Sequence, residues 1–154
     1  MCIYGHKCCL DWIKNAAGRK PGVGVLVCNW YKRIIAGIIS FILCYVFGKE
    51  KFGPYAGKYN PCAGSLEPED HGCFLLAAIR ELYEEFGINL RKSDGSIDWY
   101  KFDKHFKIGG KIQYIIHHGT PILVGNFPGL SRTTMNDKIK AYAKKPGVSH
   151  AHKE

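Results

Sequence analysis

The chain has 154 residues, of which 46% are apolar and 23% charged, and it carries a formal net charge of +9. That length suits one domain with a real core, and the composition excludes low-complexity, collagen-like and disordered chains. The positive balance suits polyanionic partners such as nucleotides or an RNA backbone, but a basic surface that only aids solubility explains it equally well.

Residues 1–20 read as an N-terminal extension, with a short helix over 8–17 ended by Gly18. Residues 1–15 mix His6, Lys7, Asp11 and Lys14 with apolar residues, so no secretory leader is expected and a cytoplasmic location is. The seven cysteines are odd in number and scattered, which points to reduced thiols. A zinc site built from Cys2, His6, Cys8 and Cys9 would lack a second paired knuckle.

Residues 23–30 read as a strand, rich in β-branched side chains and opened by Pro21-Gly22. Residues 31–33 form a turn or a short continuation. The uncharged run 34–47 then reads as one long or two bent buried strands, with Gly37 at the bend. It is too short to cross a bilayer as a helix, so no membrane contact is expected. Residues 48–54 are a turn cluster, and 55–64 a loop with short extended pieces.

The next element is a helix. Phe74, Ala78, Leu82 and Phe86 recur at four-residue steps, with Leu75 and Ile79 beside them, which is the stripe of a helix docked on a core. Asp70 is its expected N-cap, His71 or Gly72 its start, and Gly87 its left-handed stop. Beyond it lie a polar turn over 91–96, a strand over 97–102 and a hairpin through Gly109-Gly110. A strand follows over 121–127, then a short basic helix or coil over 135–145, and 146–154 is a flexible tail. Strands flanking helices in this order give an α/β (α+β) chain with a mixed sheet.

Two further groups have structural readings. His117 and His118 in one strand would face opposite sides, one buried and one solvated, and could not share a metal. Tyr55, Tyr59, Trp99, Tyr100 and Phe102 could stack on a purine, yet such residues in strands more often belong to the core.

The chemistry concentrates on the helix. Glu81, Glu84 and Glu85 are neighbours on its surface, and Arg80, one turn before Glu84, is the cation among them. Clustered carboxylates suit a hard divalent cation such as Mg2+ or Mn2+.

The string Arg80-Glu81-Leu82-Tyr83-Glu84-Glu85-Phe86-Gly87-Ile88 resembles the second half of the Nudix box, G-x5-E-x7-R-E-U-x-E-E-x-G-U, at every fixed position. The first half departs from it. Fifteen residues separate Gly64 from Arg80, where the box has thirteen, so a two-residue insertion lies between Gly64 and the helix. Glu67, Glu69 and Asp70 compete for the first acidic position.

The resemblance implies a single Nudix-like domain over 1–154, with the loop and helix of the box at 64–88. The fold would be an α/β/α sandwich around a mixed β-sheet, with C-terminal elements reduced or missing. The implied activity is that of a pyrophosphohydrolase, in which water attacks phosphorus in a nucleoside diphosphate linked to another group. By position in the motif, Glu84 and Glu85 would hold the metal, and Glu81 would be a ligand or the general base. Arg80 would fix Glu81 through a bidentate pair, and Gly64 would let a backbone carbonyl approach the metal. A second reading is a binding module for nucleotide or RNA, or a subunit completed by a partner chain, with a homo-oligomer left open. No second motif names the substrate.

Overall fold

The structure, a computed structural model, describes residues 20–51 and 53–144. The expected helix over 8–17, the group Cys2, His6, Cys8 and Cys9, and the tail 146–154 lie outside these residues.

Strand β1 (Gly22–Ile35) turns at Ala36-Gly37 into β2 (Ile38–Val46). Both turn residues have positive φ, 49° and 77°, which is the primed two-residue turn whose twist matches a hairpin. Residues 31–33 continue the strand, the second of the two alternatives the sequence left open. The expectation for the run 34–47 is corrected: it is divided between two antiparallel strands, with Ile34 opposite Ile39. Nor is that run all buried: Ile34 and Ile38 stand 64% and 70% exposed, because β1 and β2 outrun the rest of the sheet.

Two-residue strands β3 (Gly48–Lys49) and β4 (Tyr59–Asn60) pair across a turn, so the expected turn cluster begins in fact as strand. Strand β5 (Cys62–Ser65), a 3-10 turn (Pro68–Asp70) and helix α1 (Phe74–Phe86) follow. Helix α2 (Trp99–Phe106) leads into the small hairpin β6 (Lys107–Ile108) and β7 (Lys111–Ile112), closed at Gly109-Gly110 as the glycines require. Strands β8 (Tyr114–His117) and β9 (Thr120–Asn126) and helix α3 (Arg132–Ala143) complete the order.

The main sheet is mixed and runs β2-β1-β9-β8, with β5 also on β1. Val27 pairs with both Val46 of β2 and Gly125 of β9, so these strands lie on opposite edges of β1. Gly24 pairs with both Ala63 and Ile122, which puts β5 on the β2 edge, further along.

Directly paired residues share a face of a sheet. Val23 and Gly64 therefore share the face that holds Val25, Cys62 and Leu123, and Gly125 lies there too, opposite Val27. A Cβ on Gly64 would collide with Glu81 of α1, and one on Gly125 with Phe106 of α2. So α1 and α2 cover the same face. Helix α3 packs against α1, burying Met135 and Ile139. Among the described residues this is one main sheet, two small two-stranded pairs and one helical layer; a helical layer on the opposite face of the main sheet, which a sandwich needs, is not among them.

Residues 97–102, expected as a strand, instead enter α2. The six-residue window alternates, but Trp99, Phe102 and Phe106 are spaced for a helix, and the Asp98 carboxylate accepts from the Lys101 N–H at 3.0 Å as an N-cap. Phe102 and Phe106 are fully buried and stack at 4.7 Å. The histidine expectation also changes. His118 has φ 48° and belongs to the turn after β8, so the strand's alternation ends at His117. The two rings meet at 4.3 Å, and both are exposed.

Candidate active site

Helix α1 is held by its apolar stripe: Phe74, Ala78, Leu82 and Phe86, with Leu75 and Ile79, are all buried in the core. At its end Gly87 adopts φ 64°, and the N–H groups of Gly87 and Ile88 reach the Tyr83 and Leu82 carbonyls at 3.0 Å. The helix starts later than expected, at Phe74 after an N-cap at Cys73. Asp70 is not that cap, because its carboxylate is engaged elsewhere.

That engagement is with Arg80. Nε and Nη2 of Arg80 donate to the two oxygens of Asp70, at 3.3 and 2.9 Å. Nη1 donates to Glu81 Oε1 at 2.6 Å and to Glu84 Oε2 at 3.2 Å. The second proton of Nη2 goes to the Ser65 carbonyl at 2.9 Å. A guanidinium has five N–H donors, and five bonds are made. The expected bidentate pair with Glu81 is corrected: the bidentate partner is Asp70. Adjacent residues on a helix diverge by about 100°, so Glu81 is reached by one nitrogen only.

Of the three acidic candidates in the loop, Asp70 alone meets Arg80, and it is 2% exposed. Glu67 is exposed and lies 3.7 Å from Lys20, and Glu69 is exposed as well. Five residues separate Gly64 from Asp70, as in the pattern, and the two extra residues fall after Asp70. His71 and Gly72 there both take left-handed angles, φ 47° and 69°, and fold the added length into a tight reversal. The Asp70 carbonyl then receives the Cys73 N–H at 2.8 Å, which starts the approach to the helix.

Strand β5 is bound to the same helix face by polar groups. Ala63 N–H donates to Glu85 Oε2 at 2.9 Å, so a carboxylate covers the outer edge of β5. Gly64 sits against the Glu81 carboxylate, where any side chain would overlap it. Sequence reasoning missed the Ala63 N–H and the Ser65 carbonyl; backbone partners leave no mark in a sequence.

Glu81 and Glu85 are each 8% exposed. Burial, the largest cause, pushes Glu81 up to about 7; Arg80 opposes this, and Glu85 and Glu84 add to it. For Arg80, burial works against the charge but is outweighed by Asp70 and Glu81, so its proton is held above the ordinary range. Three carboxylates thus surround one guanidinium, and among the described residues no hydrogen-bond donor reaches Glu81 Oε2 or Glu84 Oε1.

An all-oxygen donor set with excess negative charge and an unbonded buried oxygen fits a hard divalent cation in kind. As arranged here, however, no three His, Cys, Asp or Glu side chains form a group that could hold a metal ion among the described residues. Beyond the helix, Asp137 belongs to α3 and Glu154 lies outside the described residues. No helix among the described residues is long and apolar enough to cross a membrane.

No family model matches the chain, and no curated protein matches it.

Proposed function

We propose that the chain is a Nudix-type pyrophosphohydrolase that cleaves a diphosphate bond in a nucleoside diphosphate linked to another group. Water attacks phosphorus and a phosphate ester leaves, chemistry that depends on positioning and charge neutralisation. The supporting observation is the fully bonded Arg80, which gathers Asp70, Glu81 and Glu84 beside Gly64. Those are the residues that carry the motif.

In this reading Glu81, Glu84 and Glu85, with the Gly64 backbone, would hold Mg2+ or Mn2+, which would supply charge neutralisation for the diphosphate and acidify water. Asp70 positions Arg80, and Arg80 positions Glu81 and Glu84. Glu81, when ionised, can take the proton of the attacking water at its unbonded oxygen.

A second reading is a module that binds a nucleotide or RNA without cleaving it. The formal net charge of +9, which suits a polyanionic ligand whether or not it is cleaved, favours it. Hydrolysis of a panel of diphosphate compounds with Mg2+ or Mn2+ separates the two. The hydrolase should turn over at least one compound only with metal, and Glu84→Gln should lower that rate about 100-fold or more. Metal-dependent binding of several compounds with turnover of none would leave the binding module.

A further inference from the structure

Among the described residues, strand β1 has only β2 as a neighbour beyond Cys28. Its pairing with β5 ends at Val25 and that with β9 at Cys28, whereas β2 stays paired from Asn29 opposite Cys44 to Ile35 opposite Ile38. Asn29 is buried, and its amide donates to the Leu130 carbonyl at 2.9 Å, which ties the base of this ribbon to the body. From Trp30 to the turn at Ala36-Gly37 the ribbon projects by about 20 Å at the rise of a strand.

Its tip is apolar on both faces. Ile34 and Ile39 are paired on one face and stand 64% and 55% exposed; Ile38, paired with Ile35, lies on the other and is 70% exposed. Clustered open apolar side chains mark a surface that meets a partner. A protein would cover one face of such a ribbon and leave the other in water. An apolar medium that surrounds the tip suits both faces.

Charge decides which partner fits. From Gly22 to Val46 the hairpin holds no Asp or Glu and two cations, Lys32 and Arg33. Lys32 is opposite Phe41, on the face of Ile34, and Arg33 is opposite Ser40, on the face of Ile38. Each apolar face therefore has one cation behind it, about 10–13 Å from the turn. An interfacial element enters a bilayer by about 5–10 Å, which brings both charges to headgroup level. A second copy of the chain would bring the same cations and no acid to meet them. A nucleic-acid backbone would meet the cations and leave the isoleucines in water.

We propose that the tip of the β1–β2 hairpin docks on an anionic lipid surface, with Ile34, Ile38 and Ile39 in the boundary between headgroups and acyl chains and Lys32 and Arg33 at the acidic headgroups. The tip enters one leaflet only, because deeper insertion would leave the backbone groups on the ribbon's outer edges unpaired in hydrocarbon. The shortness that excludes a crossing helix has no bearing on such a contact. Nor does the contact depend on the hydrolase reading: Gly64 is paired with Val23, towards the other end of β1.

The test is co-sedimentation of the full chain with vesicles of phosphatidylcholine, alone or with about 30% phosphatidylserine, at about 0.15 M salt. Wild type should bind the acidic vesicles about tenfold or more tighter than the neutral ones. Ile34→Ser/Ile38→Ser/Ile39→Ser and, separately, Lys32→Gln/Arg33→Gln should each weaken that binding about tenfold. Lys138→Gln/Lys140→Gln removes the same charge from exposed positions of α3 and should weaken it less than about threefold. Circular dichroism confirms that each variant is folded. Wild type that sediments with neither vesicle overturns the assignment, as does binding that the serine variant leaves unchanged or that the α3 pair reduces equally. A solution dimer that the serine variant dissociates, without vesicle binding, would give the tip to a second copy. Single-stranded RNA binding lost only in Lys32→Gln/Arg33→Gln, again without vesicle binding, would give it to nucleic acid.

Discussion

Helices α1 and α2 cover the same face of the same sheet, yet they place their charges in opposite ways. In α2 the charges lie outward: Asp98 caps the first turn, and half-exposed Asp103 receives Lys107, just past the helix, at 2.8 Å. In α1 they lie inward. Glu81 and Glu85 are buried, and Arg80 is filled by carboxylates from two segments. Exposed pairs such as that of Lys107 are worth about 0–1 kcal/mol. Buried charges cost several kcal/mol to desolvate and lose heavily when one partner goes. A helix that only needed to dock would follow the α2 arrangement. The polar face of α1 is a cost that packing does not require, and it is the face on which the proposed function rests.

Four changes sharpen that contrast. The largest effect is expected from Arg80→Met, which leaves buried Asp70 and Glu81 without their cation. It should lower unfolding free energy by about 3–5 kcal/mol in urea denaturation; a loss below about 1 kcal/mol would show that the α1 network is as dispensable as a surface pair. Gly64→Ala comes next, because its Cβ would displace the Glu81 carboxylate. A loss of up to about 3 kcal/mol is expected, with turnover falling alongside, whereas unchanged stability and rate would place Glu81 elsewhere.

The third change is pH. The folded-state pKa of Glu81, about 7, is raised from 4.5, chiefly by burial. The folded protein therefore holds this proton more tightly than the unfolded chain does. The contribution of Glu81 is most favourable below about pH 4.5 and is lost as pH rises through about 7. Without metal, wild-type stability should fall by about 2 kcal/mol relative to Glu81→Gln across that window. Parallel stability curves for the two proteins would contradict the shift. The smallest effect belongs to α2: Asp98→Ala removes a cap and should cost about 1 kcal/mol, read as a Tm lowered by a few degrees, with catalysis untouched.

Much of α1 was legible in the sequence, because its apolar period from Phe74 to Phe86 spans about three turns and only a helix fits that spacing. Its stop was legible too, since Gly87 both takes a left-handed angle and lies where a Cβ would meet the backbone of Lys138. Helix α2 was not. Its first residues alternate like a strand, and the cap at Asp98 and the later Phe106 decide the matter only when read together. The hairpin at Ala36-Gly37 was hidden because alanine seldom takes φ 49°, so nothing in the residue types announced a primed turn. Asp70 could be named only as one of three, because the choice depends on where the chain reverses, and that is set by His71 and Gly72.

The reversal at His71-Gly72 has a consequence for how this chain tolerates change. Asp70 and Arg80 close a loop, and the entropy of closing a loop depends only on the logarithm of its length. Lengthening the interval from seven residues to nine costs about 0.2 kcal/mol by that scaling, far less than the ion pair at its ends is worth. His71 is exposed, so added residues there would extend into solvent. The turn is a place where the chain can grow without disturbing the carboxylates, and a label or a peptide inserted between His71 and Gly72 should leave Asp70 on Arg80.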